Sequence, residues 1–302
     1  MISICIPIYN FDVTKLVNDL SFLSKKTEIP FEIILIDDYS SEYFRKINEK
    51  TCSEHTYIKL DANVGRAKIR NLFINYIKFE YLLFLDCDAV LISDNFIKNY
   101  YDFIQISDCD VICGGRIYDN SQPDKNKMLR WKYGIIKESQ PVKIRQISPN
   151  KSFMTNNFVI KKQLFNEIKF DERLKNYGHE DSLFGYELKK RKITISHIKN
   201  PILNGDIEDN DDFLNKTEKG IKNLIYILQF VENDINFIND ISLLKFYNQI
   251  KKVYLINFVY LIFLCSKNLI KRQLLKGNIN LKIFDFYKLG ILIQSTKQFS
   301  KF

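Results

Sequence analysis

Three short, nearly uninterrupted apolar runs, Ile2–Ile8, 31–36 and Tyr81–Leu85, alternate with helix-period patterns in the first ninety residues. Runs of this kind belong to strands covered on both faces, and such strands pair in parallel with helices as their crossovers. Asp12 precedes Val13, Leu16, Val17, Leu20 and Leu23, a three-and-four spacing that predicts a capped helix with one apolar face. A second helix follows 61–71, with Leu72, Phe73, Tyr76 and Ile77 facing inward. A third runs through Phe96, Ile97, Tyr100, Phe103 and Ile104 to a strand at 110–113. The order is βαβαβαβ, and the predicted class is α/β.

A polar stretch from about 118 to 152, holding three of the prolines and the only Trp, breaks this alternation and predicts a loop-rich connection over a binding face. Pattern returns with a strand at 153–160, a helix from Lys161, a helix over Glu180–Lys190 and a strand at 193–197. From about 211 every pattern is helical. The division this suggests is a catalytic domain over 1–210 and a basic helical C-terminal subdomain over 211–302.

Charge separates the same two parts. Lys and Arg number 45 against 36 Asp and Glu, yet residues 241–302 hold eleven Lys/Arg and one acid, Asp285. The first 240 residues are therefore balanced, at 34 basic to 35 acidic, which is not the footprint of a nucleic-acid protein. Six cysteines lack the close paired spacing of a zinc site or a secreted disulfide framework, so reduced thiols and a cytoplasmic location are expected. The apolar N-terminal run reads as a first strand and not as a signal peptide. The longest apolar run, 253–265, is 13 residues, short of the roughly 20 of a membrane-spanning helix.

Ligands of open parallel sheets bind beyond the carboxyl ends of the strands. Here each such end carries chemistry: Pro7-Ile8-Tyr9-Asn10, Asp37-Asp38 and Asp86-Cys87-Asp88. Four carboxylates gathered on one edge repel one another unless a cation or donor groups offset them. Residues i and i+2 of a strand point the same way, so Asp86 and Asp88 suit one divalent ion, and hard oxygen ligands suit Mg²⁺ or Mn²⁺. The pair also suits an N-cap and turn before the following helix. Asn63-Val64-Gly65-Arg66, with Arg70, stands at a helix entrance where free N–H groups and guanidinium groups hold phosphate, or else form a solvated turn. Glu180 and Asp181 open a helix after a glycine turn, which favours acids electrostatically and also suits a general base near an acceptor hydroxyl.

The segments ISICIPIYN, ILIDDYS, NVGRAKIRN, FLDCD and GHEDSL together resemble, in that order, the family 2 glycosyltransferases of GT-A fold, over about residues 1–210. Residues 156–186 are similar to the acceptor-side half of galactosyl- and N-acetylgalactosaminyl-transferring relatives. The resemblance implies a nucleotide-binding, mostly parallel mixed sheet flanked by helices, and inverting transfer from a nucleotide-sugar donor, in most cases a UDP-sugar. The acceptor would be a hydroxyl of a glycan or lipid-linked saccharide in surface polysaccharide synthesis. It implies that Pro7, Tyr9 and Asn10 line the nucleotide pocket, that Asp38 with Asp37 contacts the base, and that Asn63, Arg66 and Arg70 sit near the nucleotide. Asp88 would hold Mn²⁺ or Mg²⁺, Asp86 would reach the ribose or donor sugar or join the metal, and Asp181 would be the catalytic base with Glu180 beside it. Relatives often carry a His two residues after an Asn-Pro pair, where this chain has Asn200-Pro201 and then Asn204, so the third metal ligand is Asn204, His197, Asp206 or none. That departure gives weight to a second reading, a membrane-associated relative that binds nucleotide or glycan without turnover. A nucleotidyltransferase would need a Gly-rich loop after strand one, where Tyr9-Asn10-Phe11-Asp12 stands instead.

For the basic tail two roles are expected, which do not exclude each other. One is a helical subdomain packed on the catalytic part or on a second chain in a homodimer. The other is attachment to an anionic membrane surface at the inner face of the cell membrane, where each Lys or Arg contributes on the order of 1 kcal/mol. No recognised nucleic-acid module is present in the sequence.

Overall fold

The computed structural model describes residues 2–27 and 29–299, so Ser300, Lys301 and Phe302 of the basic tail lie outside the described residues. It divides into two compact units. The first comprises Met1–Asp119, Ser139–Lys175 and Glu180–Asp206; the second comprises Asn120–Glu138, Asn176–His179 and Ile207–Phe302.

In the first unit the chain runs β1 (Ile2–Ile8), α1 (Thr14–Thr27), β2 (Phe31–Asp37), α2 (Glu42–Thr51), β3 (Thr56–Lys59), α3 (Arg66–Leu72), β4 (Tyr81–Leu85), β5 (Ala89–Val90), α4 (Phe96–Ile106), β6 (Val111–Cys113) and β7 (Arg116–Ile117). In the second unit α5 (Met128–Tyr133) follows. The first unit resumes with α6 (Val142–Arg145), β8 (Asn157–Lys161), α7 (Lys162–Glu167), α8 (Glu180–Lys190), β9 (Ser196–His197) and β10 (Ile202–Asn204). Seven strands form one sheet in the order β3-β2-β1-β4-β8-β6-β9, parallel except for β8. β1 lies between β2 and β4, with Ile8 opposite Asp37 and Cys5 opposite Phe84.

The continuous apolar runs have their reason in two cores. Ile2, Ile4, Ile6, Leu83 and Leu85 pack on one face against Val13, against Leu16 and Leu20 of α1, and against Phe96 and Tyr100 of α4. Cys5, Ile34, Ile36 and Phe84 pack on the other against Ala67 and Ile69 of α3 and Phe158, Phe165 and Phe184. Asp12 caps α1 as expected, its carboxylate accepting from the Thr14 N–H at 2.9 Å.

Several boundaries differ from the sequence expectation. The helix expected after Asn71 starts at Arg66, because Asn71 turns inward to exchange hydrogen bonds with the Phe170 backbone, at 2.9 Å in both directions. The strand expected at 153–160 starts only at Asn157, and that expected at 193–197 only at Ser196. The polar stretch 118–152 is not loop-rich: it holds α5 and α6, with Leu129 and Arg145 buried. β3, β5, β7 and β10 are too short or too mixed in pattern for periodicity to reveal. The last two form a small second sheet with β5, in which Asn204 pairs with Ala89 and Ile202 with Arg116.

The second unit is helical, as the pattern after 211 predicts, with α9 (Asn210–Phe230), α10 (Ile235–Asp240), α11 (Ser242–Lys252), α12 (Ile256–Leu275) and α13 (Leu281–Phe299). Asn210 ties its ends together, donating to the carbonyls of Lys125 at 2.8 Å and Leu275 at 3.1 Å and accepting from the Leu129 N–H at 2.8 Å. Gly290 lies so close to the Phe263 ring that only a residue without a side chain lets α12 and α13 approach. No single helix among the described residues is long and apolar enough to cross a membrane.

Gly114, where β6 passes to β7, has the same constraint, since a Cβ there would press on the Tyr100 hydroxyl, the Asn200 carbonyl and the Asn157 amide. Gly114→Ala is expected to cost about 1–3 kcal/mol through overpacking, read as a lower denaturant midpoint at unchanged slope. An unchanged midpoint would contradict this account of the β6–β7 corner.

Candidate active site

The ends of β1 and β2 are stitched together. The Asn10 N–H donates to Ser40 Oγ and the Ser41 N–H to Asn10 Oδ1, both at 2.8 Å. Beside them lies an open hollow of about 500 Å³ lined by Tyr9, Asn10, Tyr39, Ser40, Ser41, Glu42 and Arg45. Tyr9 and Tyr39 are each 54% exposed there, while Pro7 stays in the strand opposite Ile36. Asn10 (φ 50°) and Tyr39 (φ 67°) both hold left-handed backbone, and for a bulky aromatic that conformation persists only where its surroundings over-determine it. The Arg45 guanidinium, 5.0 Å from the Tyr39 ring centroid, is part of those surroundings.

The two acids that end β2 are held by the protein itself. Asp37 is fully buried and accepts from the Ser40 N–H at 2.7 Å, Arg45 Nε at 3.4 Å and the Tyr57 hydroxyl at 3.0 Å. Asp38 accepts from the Val64 and Gly65 N–H groups at 2.6 and 3.1 Å, anchoring the entrance of α3, and Asn63 donates to its carbonyl at 3.1 Å. Burial raises the Asp38 pKa, and the two N–H groups only partly oppose it.

The charge arrangement after β4 is asymmetric. Arg70, 3% exposed, reaches Asp86 Oδ1 at 2.8 Å, and Arg116 stands 3.6 Å from Oδ2. Burial works to raise the Asp86 pKa, but Arg70, then Arg116 and Arg66, outweigh it and hold the carboxyl below its ordinary value. Asp88 goes the other way: burial and the neighbouring Asp86 charge raise its pKa, and Arg116 compensates only in part. One carboxylate is neutralised by the protein and the other is not. Around the first, Arg70 Nε and both polar atoms of the Asn156 side chain, a residue 4% exposed, are buried without a hydrogen-bond partner. The Asn156 carbonyl accepts from the Asp86 N–H at 3.2 Å, so these groups adjoin, and buried amides in such a state are rare.

The expected third ligands part company. Asn204 is brought beside the acids: it pairs with Ala89, the Gly205 N–H donates to the Asp88 carbonyl at 3.1 Å, and its own amide donates to the Asp206 carbonyl at 2.6 Å. His197 is built into a separate buried network, taking a hydrogen bond on Nδ1 from Arg145 at 2.7 Å and holding the Pro149 carbonyl with Nε2 at 2.9 Å. Burial lowers its pKa to about 4, so the ring is neutral with its proton on Nε2. Arg145 also donates to the carbonyls of Cys113, Gly114 and Ile198, its guanidinium folded against Gly115, which holds left-handed backbone (φ 94°) and where a Cβ would meet that guanidinium. Among the described residues no three His, Cys, Asp or Glu side chains converge on one point. The neighbouring carboxylates of Asp88 and Asp86, with Asn204 on the strand paired beside them, are oxygen donors of the kind that suits a hard cation keeping other ligands of its own.

Glu180 and Asp181 open α8. Glu180 is buried, with Arg66 Nη1 3.6 Å from its carboxylate, while half-buried Asp181 accepts from the Ser182 N–H at 2.7 Å. Arg66 and Arg70, one turn apart on α3, thus address different acids. Sequence reasoning missed Arg116, Asn156 and Arg145. Arg116 alone carried a signal, since it follows a glycine pair just after an apolar strand.

Residues 3–169 match the model of the family described as glycosyl transferase family 2. Chondroitin synthase from Escherichia coli is 25% identical over 220 residues, covering 62% of this chain and 32% of that protein. The chain therefore spans about a third of the length of that relative. Among solved structures, Staphylococcus aureus TarS in complex with UDP aligns with a TM-score of 0.51 at 21% identity, over 98% of this chain and 91% of that one. The mannosyltransferase PcManGT from Pyrobaculum calidifontis, in complex with GDP-Man and Mn²⁺, gives 0.54 at 11% identity, over 76% and 64%. At these identities the two structures establish the GT-A fold alone.

Removing Arg70 leaves half-buried Asp86 with only the longer Arg116 contact at 3.6 Å to offset it among the described residues. Arg70→Met is expected to destabilise the chain by about 3–5 kcal/mol at neutral pH. Native Asp86 has a lowered pKa, so its contribution is present above the ordinary carboxylate range and lost as pH falls through that lowered value. The deficit of the variant should therefore narrow on acidification; a deficit independent of pH would contradict the pairing.

Proposed function

The chain belongs to glycosyl transferase family 2 and is a glycosyltransferase, and from that premise we propose an inverting, metal-dependent transfer from a UDP-sugar to a hydroxyl of a glycan or lipid-linked saccharide. The observation that carries this reading is the unequal pair after β4, with Asp86 balanced by Arg70 and Arg116 and Asp88 left without an ion pair among the described residues. A carboxylate without an ion pair, beside a buried arginine cluster, suits a divalent cation, which would offset the charge of a diphosphate. The UDP held by the S. aureus relative supports uridine diphosphate as carrier, and the likeness to chondroitin synthase supports a polysaccharide acceptor.

In this reading the catalytic part is 1–210, and the nucleoside enters the hollow between Tyr9, Asn10 and Tyr39, with Asp37 and Asp38 fixing its wall and Asn63 its edge. Asp88, with Asp86 beside it and Asn204 on the neighbouring strand, would hold Mn²⁺ or Mg²⁺; His197, with both ring nitrogens engaged, is left out. The bound ion would neutralise charge developing on the departing diphosphate. Asp86, fixed by Arg70, accepts from a ribose or sugar hydroxyl, and the unpartnered Asn156 amide completes its own hydrogen bonds on the same donor. The acceptor oxygen attacks the anomeric carbon as the carbon–phosphate oxygen bond breaks, the nucleoside diphosphate leaves with the bonding pair, and the hydroxyl proton passes to Asp181. Glu180, tethered to Arg66, steadies the acceptor. A single displacement inverts the anomeric centre. The enzyme would work in the cytoplasm, at the inner face of the membrane where a lipid-linked acceptor is presented.

Calorimetry with UDP should show binding that strengthens with Mn²⁺ in the native chain and loses that dependence in Asp88→Ala. Asp181→Asn should keep donor binding and lose transfer by about 10³-fold or more. Metal-independent UDP binding, or near-normal transfer by Asp181→Asn, would overturn the respective assignment.

A further inference from the structure

Helix α12 is apolar on two opposite faces. Phe263, Ile270 and Leu274 are buried, while Phe258, Leu261, Ile262 and Leu269 are exposed on the other side, Leu269 at 70%. Positions 258, 261, 262 and 269 recur at helical spacing, so the exposed residues form one continuous stripe. At its start α11 and α12 meet at a sharp bend of 119°, and the residues of the bend, Val253, Tyr254 and Leu255, are also exposed. Tyr254 is 92% exposed on left-handed backbone with φ 59°, which thrusts the apolar tip outward. A contiguous apolar surface left exposed in this way points to an interaction site.

Charge decides what covers it. Exposed Lys251 and Lys252 precede the tip, and exposed Arg272 and Lys276 follow the stripe. The only acid of residues 241–302, Asp285, is already engaged by Lys288 at 2.7 Å and Lys137 at 3.9 Å. A second copy laid symmetrically on the stripe would set lysines against lysines. An acidic bilayer surface complements both features at once, because apolar side chains enter the acyl boundary while lysines remain among anionic headgroups.

We infer that the bend and outer stripe of α11–α12 form an interfacial anchor for anionic lipid bilayers. The anchor lies in the plane of the membrane without crossing it, and it is independent of donor, acceptor and metal. This inference does not rest on the transfer reading, since vesicle binding is measured without sugar nucleotide.

The test is sedimentation of the full chain with vesicles of phosphatidylcholine alone or mixed with phosphatidylglycerol. Partition onto the mixed vesicles is expected at low salt and should fall by about tenfold or more between 0.05 and 0.5 M NaCl. Leu261→Glu with Leu269→Glu, both exposed and so compatible with folding, should cut partition by about tenfold or more at unchanged circular dichroism and Tm. Lys251→Glu with Lys252→Glu should remove the preference for the anionic vesicles. Absence of partition at low salt, equal binding by the leucine variant, or a dimer in solution that the leucine variant dissolves would each overturn the anchor.

Discussion

The pairing of Asp86 with Arg70 and Arg116 is the interaction on which the rest of the site depends. A carboxylate at the end of a buried strand is expensive to hold, and two guanidinium groups from different elements offset that cost. Arg70 comes from α3, whose entrance is fixed by Asp38, so the end of β2 positions the group that neutralises the end of β4. Arg116 comes from the strand after the Gly114 corner, which Arg145 supports from below. Three strand ends are thus made interdependent, while Asp88, beside the charge of Asp86, is only partly compensated by Arg116.

That imbalance links folding to activity. Every other strand-end acid is satisfied within the protein: Asp37 by Ser40, Arg45 and Tyr57, Asp38 by two backbone N–H groups, Asp86 by arginines. A site that retains one charged carboxylate and a buried amide without partners gives up stability for a ligand that restores both. In the reading proposed above that ligand is a nucleotide-sugar donor with its cation, whose charge and hydroxyl groups would be met around Asp88 and Asn156.

Much of the fold was legible in the sequence because burial on both faces leaves a strand no freedom of composition. Ile2–Ile8 and Tyr81–Leu85 stand where the apolar runs put them, and the mixed sheet and helical C-terminal part follow the same pattern. Short pairings at the site were illegible for the opposite reason. β5, β7 and β10 are two or three residues long, and their pairing is set by tertiary neighbours, so neither the approach of Asn204 to Asp88 nor that of Arg116 to Asp86 has a local signature. The candidate residues stand out in the sequence by their place at strand ends, but which of them pair with one another does not. Arg70 reads as a surface helix residue or a phosphate ligand until α3 is seen to begin at Arg66, which turns it inward onto Asp86. His197 reads as a ligand until Arg145, fifty-two positions away, is seen to occupy its Nδ1.

The central claim is that Asp88 lacks an ion pair among the described residues, and that burial and the Asp86 charge disfavour its ionised form. Asparagine has the same shape and forms the same turn, so Asp88→Asn removes the charge and little else. Thermal unfolding of the metal-free native chain and this variant at neutral pH tests the claim directly. A higher Tm for Asp88→Asn is the predicted result, because the raised pKa of Asp88 means its charged form weakens the fold. An equal or lower Tm would contradict it, and would mean that Asp88 is a structural turn residue already compensated within the protein.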